Sequence, residues 1–498
     1  MTIYMIQDIL AEAAESNPMK IGFQTENHSF TYSQILQQSI QMAEFLKSKG
    51  VRKGTHIGLH LNNEEYFIFS LFGGFLLDCV IVPIPYFSTD AEIEQMIINC
   101  DVSFCITTRM EITNNISITN IIWISYDKMS HNPTTDLLFD TINKSKDGQQ
   151  LAMLLSTSGS TDKPKIVMLS HDNVVSSAIS HGERIAYTHS DVFLITMPVH
   201  FSSTIVTQII SCIYLNTKFC LVMLPLMSRA MITYMRRFEI SAFSCVPTMI
   251  ISIVTEMERT LISPFDQIKT IVVSGAALHN ETLMKASYYF PSAQFIQTYG
   301  LTEAAPRVSM MNRTDNYLSS GNTVDGVVLR IVEEIGVGQV DQKIGEIWVK
   351  GRNIMQGYYR DPLTTKQVIS DGWLRTGDLG YLDENDRLHI VGRKKNIIIV
   401  GGNNVYPEEI EEGLGRIHQI EEVIVVGEKD EILGEVPVSY IKLKKGTSLV
   451  ASEIRRYCQV YFSNYKIPRK FYFVDHIPKT NTGKLDRTKI KQICKKNE

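Results

Sequence analysis

The sequence predicts an α/β protein with a large N-terminal domain of layered α/β subdomains and a small β-rich subdomain, followed by a small α+β domain. Three patterns indicate this. Helical segments alternate with short apolar strands in the N-terminal part, strand-and-turn patterns follow Gly321, and the last hundred or so residues mix helices and strands. A chain of 498 residues exceeds one usual domain, and we expect domains over residues 1–392 and 393–498.

The first elements indicate a parallel sheet. The helix "SQILQQSIQMAEFLKSKG" ends at Gly50, and "THIGLHL", a helix over Glu64–Leu77 and a strand over Cys79–Pro83 form a β–α–β unit. Tyr66–Phe87 is long enough to span a bilayer, but Asp78 lies near its middle and prolines close its end. We therefore predict a buried helix and strand, and no membrane span.

Later segments complete the two domains. A second layered region is predicted over about 180–310, from "IKTIVVSGAAL", "HNETLMKASYYF" and "QFIQTYG". The strands "VVLRIVEE", "GEIWVKG" and "LHIVGR" form the β-rich part. The C-terminal domain contains the helix "PEEIEEGLGRI", the strands "EEVIVVGEKD" and "EVPVSYIKLK", and a helix near Ser452–Val460.

Composition excludes several classes. A net charge of −4 and a pI near 6.3 fit neither a basic nucleic-acid binder nor a disordered acidic chain. The eight cysteines are scattered without a CxxC pair, which favours a reduced cytoplasmic protein without structural zinc. The N-terminal segment has helical periodicity and no basic head, so we expect no signal peptide.

A loop rich in hydroxyl groups is predicted between two strands. "STSGSTDKPK" (Ser156–Lys165) lies between the apolar runs "LAMLL" and "IVMLSH", so it forms a hairpin tip. Its free N–H groups, hydroxyls and lysines suit a phosphate. A solvated surface turn is the alternative, and the Walker pattern GxxxxGK[ST] is absent.

Four more motifs decide between these interpretations. They are "QTYGLTEAAP" (Gln297–Pro306), "GEIWVKGRNIMQGYYRDP", "DGWLRTGDLGYLDENDRLHIVGRKKNIIIVGGNNVYPEEIEE" and "HIPKTNTGKLDR". With them the chain resembles, almost end to end, the adenylate-forming (AMP-binding) superfamily of acyl-CoA synthetases, aryl-CoA ligases, adenylation domains and luciferases. The resemblance implies ATP and Mg²⁺ as cofactors, CoA as thiol acceptor, a small carboxylic acid as substrate, and a monomer or homodimer.

The resemblance also implies residue roles. The nucleotide phosphates would contact Thr157, Ser158, Gly159, Ser160, Thr161 and Lys165. Along the rest of the nucleotide would lie Gly275, Ala276, Ala277, Tyr299, Gly300 and Thr302. Asp378 and Arg393 would contact the ribose, and Lys484 would also bind the nucleotide. Thr302, Glu303 and Lys484 would be catalytic, with Glu303 binding Mg²⁺. The C-terminal domain would swing about Lys395, and Gly401 and Gly402 would line the tunnel for the thiol.

The acid site and the phosphate loop depart from the family pattern. His200, Phe201 and Gly300 would contact the acid. The segment around His200 lacks the aspartate with which relatives bind an amino group, so a fatty, aryl or other non-amino acid is expected. Asp162 and Ile166 replace glycines, and the Asp162 charge would weaken ATP binding unless a lysine compensates.

Three functions remain open from the sequence. The first is an ATP-dependent acid–CoA ligase, acting in the cytoplasm. The second is an acyl-AMP ligase that loads a phosphopantetheinyl carrier protein; the short connection "EEIGVGQVDQKI" before "GEIWV" favours the CoA branch. The third is a non-catalytic adenylate-binding protein, which has no physical use for Glu303, Asp378, Arg393 and Lys484 together.

Overall fold

The computed structural model describes residues 5–114, 116, 121–125, 147–157, 165–276, 278, 280–312, 319–333, 344–479 and 485–494. The helices are α1 (Ile6–Ser16), α2 (Tyr32–Ser48), α3 (Glu65–Leu76), α4 (Asp90–Asn99), α5 (His171–Ile185), α6 (Ser211–Tyr214), α7 (Ser228–Arg237), α8 (Pro247–Thr260), α9 (Asn280–Tyr289), α10 (Pro362–Val368), α11 (Pro407–Gly415), α12 (Ala451–Tyr461) and α13 (Arg487–Cys494). A π-helix over Thr204–Ile210 precedes α6.

The strands fall into four sheets. Those of the first part are β1 (Ile21–Gln24), β2 (Ser29–Thr31), β3 (His56–His60), β4 (Val80–Pro83), β5 (Phe104–Thr107), β6 (Ile122–Ser125), β7 (Leu151–Ser156), β8 (Ile166–Ser170), β9 (Val192–Ile195), β10 (Lys218–Leu221), β11 (Ala242–Cys245), β12 (Thr270–Val273), β13 (Gln294–Gly300) and β14 (Arg307–Met310). The remainder are β15 (Asn322–Thr323), β16 (Val327–Glu333), β17 (Gly345–Gly351), β18 (Gly357–Tyr358), β19 (Ile369–Ser370), β20 (Trp373–Leu382), β21 (Leu388–Arg393), β22 (Ile398–Val400), β23 (Asn403–Val405), β24 (Ile420–Asp430), β25 (Gly434–Leu443) and β26 (Lys470–Phe473).

The first sheet has the strand order β15-β14-β13-β12-β11-β9-β10-β1-β2. The strands from β1 to β13 in this order are parallel, and β2, β14 and β15 add antiparallel strands at its ends. The sequence predicted the part over residues 180–310. It did not predict that β1 joins this sheet by pairing Phe23 with Phe219, because that pairing connects segments far apart in the chain.

The second sheet has the order β18-β8-β7-β4-β3-β5-β6. The predicted β–α–β unit is confirmed: β3 and β4 are parallel, and α3 connects them. Among the described helices, none has the length and the apolar composition that crossing a bilayer requires.

A layer of helices separates these two sheets. Side chains of α1, α2, α3, α5, α6 and the π-helix form one continuous core with both sheets, including Phe193 of the first sheet and Leu155 of the second. Helices α7, α8 and α9 cover the other face of the first sheet, and α4 covers the other face of the second. The layered α/β class predicted from the sequence is confirmed.

Helix α5 follows directly on β8 and is fixed at its start. The Ser170 hydroxyl accepts from Asn173 N at 3.1 Å, and Asn173 Oδ1 accepts from Ser170 N at 2.9 Å. These reciprocal bonds satisfy two backbone donors at the helix terminus. Ser177 and His181, one turn apart, are both buried and lie on the side of α5 that faces the core.

The third sheet is formed by strands that precede residues 394–397 in the chain, and the fourth sheet by strands that follow them. In the third sheet, β16, β17, β20 and β19 are neighbours in this order, and β21 pairs with β20. The fourth has the order β23-β22-β25-β24, with β26 on β25, and α11 and α12 pack on it. The chain leaves the third sheet at Arg393 and enters the fourth at Ile398 through the turn Lys394–Asn396.

Helices α2 and α3 pack closely at Gly73, which provides a test of the core. A Cβ at Gly73 would lie 2.6 Å from Met42 Cγ and 3.0 Å from Ser39 O. Gly73→Val should therefore destabilise the N-terminal domain by about 1–3 kcal/mol, measured as a lower urea midpoint by circular dichroism. Ser70→Ala is the matched control, because the buried Ser70 hydroxyl has no hydrogen-bond partner among the described residues. Equal midpoints for the two variants would contradict the packing argument.

Candidate active site

The base of the predicted hairpin lies beside β18 of the second sheet. β7 and β8 are antiparallel, with Ser156 opposite Ile166, and Thr157 N donates to Lys165 O at 2.9 Å. The Lys165 ammonium lies 4.8 Å from the centre of the Tyr358 ring. The predicted phosphate ligands Ser158, Gly159, Ser160 and Thr161, together with Asp162, lie outside the described residues.

Ile166, the second departure in this loop, fits the structure without distortion. Its side chain is 5 % exposed and packs with Val80, Val82 and Leu154. Its carbonyl accepts from Tyr359 N at 2.8 Å. An isoleucine at this position therefore anchors the second strand of the hairpin in the core.

The segment after β13 makes a close turn that presents Glu303. A Cβ at Gly300 would lie 1.8 Å from Pro306 O, so only glycine allows the two backbone segments to approach this closely. Glu303 follows in a short 3₁₀ turn, where its carbonyl accepts from Met355 N at 2.9 Å. The Thr302 and Ser202 hydroxyl oxygens are 3.4 Å apart.

Tyr358 orients the Glu303 carboxylate, a role that the sequence analysis missed. The Tyr358 hydroxyl donates to Glu303 Oε1 at 2.9 Å, and burial and the Glu303 charge raise the pKa of this tyrosine. The residue stands in the quoted motif "GYYRDP", but its contact with Glu303 depends on the pairing of β18 with β8. No local pattern in the sequence signals that pairing.

A second carboxylate, Asp378, is buried between two donors. It lies on β20 opposite Arg393 of β21 and is 4 % exposed. The Tyr299 hydroxyl donates to Asp378 Oδ2 at 2.7 Å, and Arg393 Nε is 2.8 Å from Oδ1. Burial and Asp378 hold the pKa of Tyr299 well above its usual range, and Asp378 raises that of Arg393. These donors leave carboxylate lone pairs for further hydroxyl groups.

An exposed turn follows β12. Gly275, with φ +86°, and Ala276 follow β12 and are exposed, while Ala277 lies outside the described residues. Gln297 fixes the turn, because its Oε1 accepts from Leu278 N at 2.6 Å. Gln297 stands in the same motif as Tyr299, but no pattern in the sequence indicates this role.

His200 and Phe201 lie just before the π-helix. Their ring centroids are 4.5 Å apart in an edge-on arrangement. Burial lowers the pKa of His200 to about 4, so the ring is neutral at pH 7. His200 lines a small cleft together with Asn62, Asn63 and Tyr86, and Asn63 Oδ1 fixes the segment by accepting from Val199 N at 3.0 Å.

The C-terminal domain contacts the site through its connection. Desolvation and the Arg393 charge lower the pKa of Lys395, which also lies within the electrostatic influence of Asp378 and Lys165. Gly401 (φ +55°) and Gly402 (φ +84°) form an exposed turn between β22 and β23. A Cβ at Gly402 would meet no heavy atom of the described chain within 4 Å.

Lys484 lies outside the described residues, but the helix that follows it is anchored near the connection. At the start of α13, Arg487 Nη2 is 3.3 Å from Glu408 Oε1 and 2.6 Å from Glu411 Oε2. Asn396 Nδ2, in the turn after Lys395, donates to the same Glu408 oxygen at 2.9 Å. The start of α13 is therefore tethered close to the connection between the domains.

The carboxylate oxygens of this site suit a nucleotide that carries a bound Mg²⁺. No group of three His, Cys, Asp or Glu side chains in the described ranges could hold a metal by itself. Mg²⁺ usually takes one or two carboxylates and completes its shell with phosphate oxygens and water, so Glu303 alone is a sufficient protein ligand when a nucleotide supplies the phosphates.

Tyr358→Phe should weaken the response to magnesium. Loss of the bond that orients Glu303 should raise the Mg²⁺ concentration needed for half-maximal ATP binding about tenfold, measured by calorimetric titration. Tyr359→Phe is the matched control, because the neighbouring Tyr359 hydroxyl donates to Asp101 at 2.6 Å. The same Mg²⁺ dependence in both variants would argue against this role.

Comparison with known proteins identifies the family. The family model "AMP-binding enzyme" matches residues 10–359, and "AMP-binding enzyme C-terminal domain" matches residues 409–484. A 2-succinylbenzoate–CoA ligase of a Geobacillus species is 28 % identical over 99 % of this chain and 98 % of its own length. A long-chain-fatty-acid–CoA ligase of Bacillus subtilis is 27 % identical, over 97 % and 94 %.

Solved structures share the fold. The o-succinylbenzoate coenzyme A synthetase MenE from Bacillus subtilis, in complex with ATP and a magnesium ion, matches with a TM-score of 0.83 and 25 % identity, over 97 % of this chain and 99 % of that one. ATP-bound MatB from Rhodopseudomonas palustris matches with a TM-score of 0.85 and 22 % identity, over 98 % and 99 %. Both family models lie in the order that the motifs predicted, and the chain belongs to the AMP-binding enzyme family.

Proposed function

We propose that this protein is an AMP-forming acid–CoA ligase, which activates a carboxylic acid with ATP and transfers the acyl group to CoA. One observation carries the proposal. Tyr299, near the end of β13, and Arg393 hold buried Asp378, and Glu303, held by Tyr358, stands in the short 3₁₀ turn that follows β13. Such a pair suits the ribose hydroxyls and the metal-bound phosphates of one nucleotide.

The nucleotide would lie along β13. Asp378 would accept hydrogen bonds from the ribose hydroxyls, with Arg393 beside it. Tyr299, Gly300 and the turn Gly275–Ala277 would border the base, while Thr157, Ser158–Thr161, Lys165 and Thr302 would hold the phosphates. Mg²⁺, bound by Glu303, would neutralise charge on the phosphates as pyrophosphate leaves.

The first half-reaction forms the acyl-adenylate. A carboxylate oxygen of the acid attacks the α-phosphorus, the bond to the bridging oxygen breaks, and pyrophosphate leaves. Both reactants are anions, so the site must align them and offset their charge. Lys484 is the cation proposed for this task, and the anchoring of Arg487 by Glu408 and Glu411 supports its delivery to the site.

The second half-reaction transfers the acyl group to a thiol. The sulfur of CoA attacks the acyl carbon, the bond to the phosphate oxygen breaks, and AMP leaves. Gly401 and Gly402 lie in an exposed turn, so we propose that the C-terminal domain rotates about Lys395 to bring this turn to the acid. The domain boundary would then fall between residues 392 and 393.

The acid would enter beside His200, Phe201 and Gly300. From Met197 to Val206 the chain carries no acidic side chain, so nothing in this segment would balance a substrate ammonium. The neutral His200 and the apolar core around the π-helix suit an acid without an amino group. A fatty, aryl or other non-amino acid is therefore the proposed substrate class.

The cysteines of the chain bear on the compartment in which the enzyme acts, and its relatives bear on the acceptor of the acyl group. The seven cysteines whose side chains the structure describes are buried and unpaired, which supports the reduced environment of the cytoplasm. The two curated relatives named above are both CoA ligases, which supports CoA over a carrier protein as acceptor. A monomer or homodimer remains the prediction for its assembly.

Acid-dependent exchange of pyrophosphate into ATP tests the first half-reaction. We expect exchange with at least one non-amino acid, and Lys484→Ala should slow it by about 10²–10³, as expected when a charge that stabilises the transition state is removed. Lys479→Ala is the control, because the Lys479 ammonium pairs with Glu422 at 2.5 Å. Thioester formation is then followed with CoA and with a phosphopantetheinyl carrier protein. Transfer to the carrier alone would replace the proposed acceptor, and ATP binding without exchange would indicate a non-catalytic adenylate-binding protein.

A further inference from the structure

A cation without a partner is buried in the N-terminal domain. Arg307 begins β14, soon after Glu303, and is 4 % exposed. Within the described part of the chain its guanidinium forms no hydrogen bond and no ion pair, and its Nε is enclosed. A buried arginine is normally paired, because removing a charge from water is strongly unfavourable without compensation. Arg307 therefore needs an explanation.

The position of Arg307 is fixed by its backbone. Its N–H donates to the Ser177 hydroxyl of α5 at 3.4 Å, and its carbonyl accepts from Asn353 Nδ2 at 2.8 Å. The strand is thus held to α5 on one side and to the β-rich part on the other. These two bonds fix the backbone at the point where the side chain enters the interior.

The groups around Arg307 do not neutralise it. Burial lowers the pKa of Arg307 to about 10, so the side chain remains a cation at neutral pH. Its charge acts on His181 of α5 and on Tyr187 just beyond that helix. Burial and the Arg307 charge hold the pKa of His181 well below its usual range, so the imidazole is neutral. Neither group supplies a negative charge at neutral pH.

The helix that packs against α5 contains further polar groups that lack a partner. Thr204 Oγ1 and Gln208 Oε1 of the π-helix are buried without a hydrogen bond to any described residue. The C-terminal end of this π-helix is held to α5 by the Ser211 hydroxyl, which donates to Ala178 O at 2.8 Å. The Thr204 hydroxyl can donate to the same anion as a guanidinium, whereas the unpaired Gln208 atom is an amide oxygen, which only accepts.

These groups lie next to the site of acyl activation. Arg307 is the residue directly opposite Gly300 in the pairing of β14 with β13. The start of the π-helix reaches the same turn, where Ser202 contacts Thr302. A substrate whose reacting carboxylate lies at Gly300 and Thr302 would extend between the π-helix, α5 and β14.

We propose that Arg307 binds a second anionic group on the acid, so that this enzyme activates a dicarboxylic acid and adenylates one of its two carboxylates. The inference rests on the proposed function and narrows its substrate class. The guanidinium forms a two-pronged contact with the distant carboxylate, and the Thr204 hydroxyl adds a donor to it. Binding of the substrate supplies the negative charge that the protein lacks at this position.

Such a site discriminates strongly. A site built to pair with a polar group rejects an analogue that lacks this group, because the buried partner is then left unsatisfied. We expect a preference of at least about 100-fold in kcat/KM for the dicarboxylate over the matching monocarboxylate.

The test is acid-dependent exchange of pyrophosphate into ATP with matched acids. The pairs are adipate with hexanoate, suberate with octanoate, and 2-succinylbenzoate with 4-oxo-4-phenylbutanoate. Arg307→Gln should lower kcat/KM at least about 100-fold for the preferred dicarboxylate and only a few-fold for its monocarboxylate partner. Arg184→Gln is the matched control on α5, because the Arg184 guanidinium is already paired, with Asn312 Oδ1 at 2.9 Å and with Asp325.

Each outcome separates the two proposals. Exchange with monocarboxylates at rates equal to or above those of the dicarboxylates leaves the ligase function standing and overturns the role of Arg307. An equal loss for both members of a pair in Arg307→Gln also overturns it, since a structural role would produce that result. Exchange with no acid at all refutes the ligase function itself. If Arg307→Gln does not fold, the wild-type preference across the three pairs decides alone.

Discussion

Three parts of the chain meet at the carboxylate of Asp378. Tyr299 reaches it from the first sheet, Arg393 from the strand that leads into the C-terminal domain, and Asp378 itself lies on β20. A buried carboxylate persists as an anion only where donors surround it, so these contacts constrain how the third sheet sits against the first. The place of the nucleotide follows from the same constraint.

A second constraint acts at the turn between β13 and β14. Its backbone segments approach so closely that Gly300 has no room for a side chain. The turn then aims Glu303 towards Tyr358, and β14 carries Arg307 inward under α5. A few consecutive residues thus place the proposed metal ligand, Glu303, and the buried cation, Arg307, within one short segment. Under the two proposals, this segment would relate the reacting end of a substrate to its distant end.

The sequence predicted what local patterns encode. Hydrophobic periodicity marked α2 and α3, and the Ser, Thr and Gly residues between two apolar runs marked the hairpin of β7 and β8. Contacts made across sheets were not predictable. The pairing of Phe23 with Phe219, the bond from Tyr358 to Glu303 and the burial of Arg307 all depend on tertiary neighbours that no window of the sequence contains. Nothing in the sequence distinguishes Arg307 from the other arginines or indicates that its side chain is buried without a partner among the described residues.

Arg393 contacts Asp378, the proposed ribose ligand, and stands two residues before the proposed pivot, Lys395. A rotation of the C-terminal domain that moves Arg393 away would remove a positive charge from beside Asp378. The affinity of this site for a nucleotide would change as a result. Thermodynamic linkage requires the converse, because a nucleotide that changes this contact shifts the balance between domain orientations by the same factor. Under the proposed function, occupancy of the ribose site and orientation of the small domain would therefore be coupled, and release of AMP would itself shift the orientation of the domain.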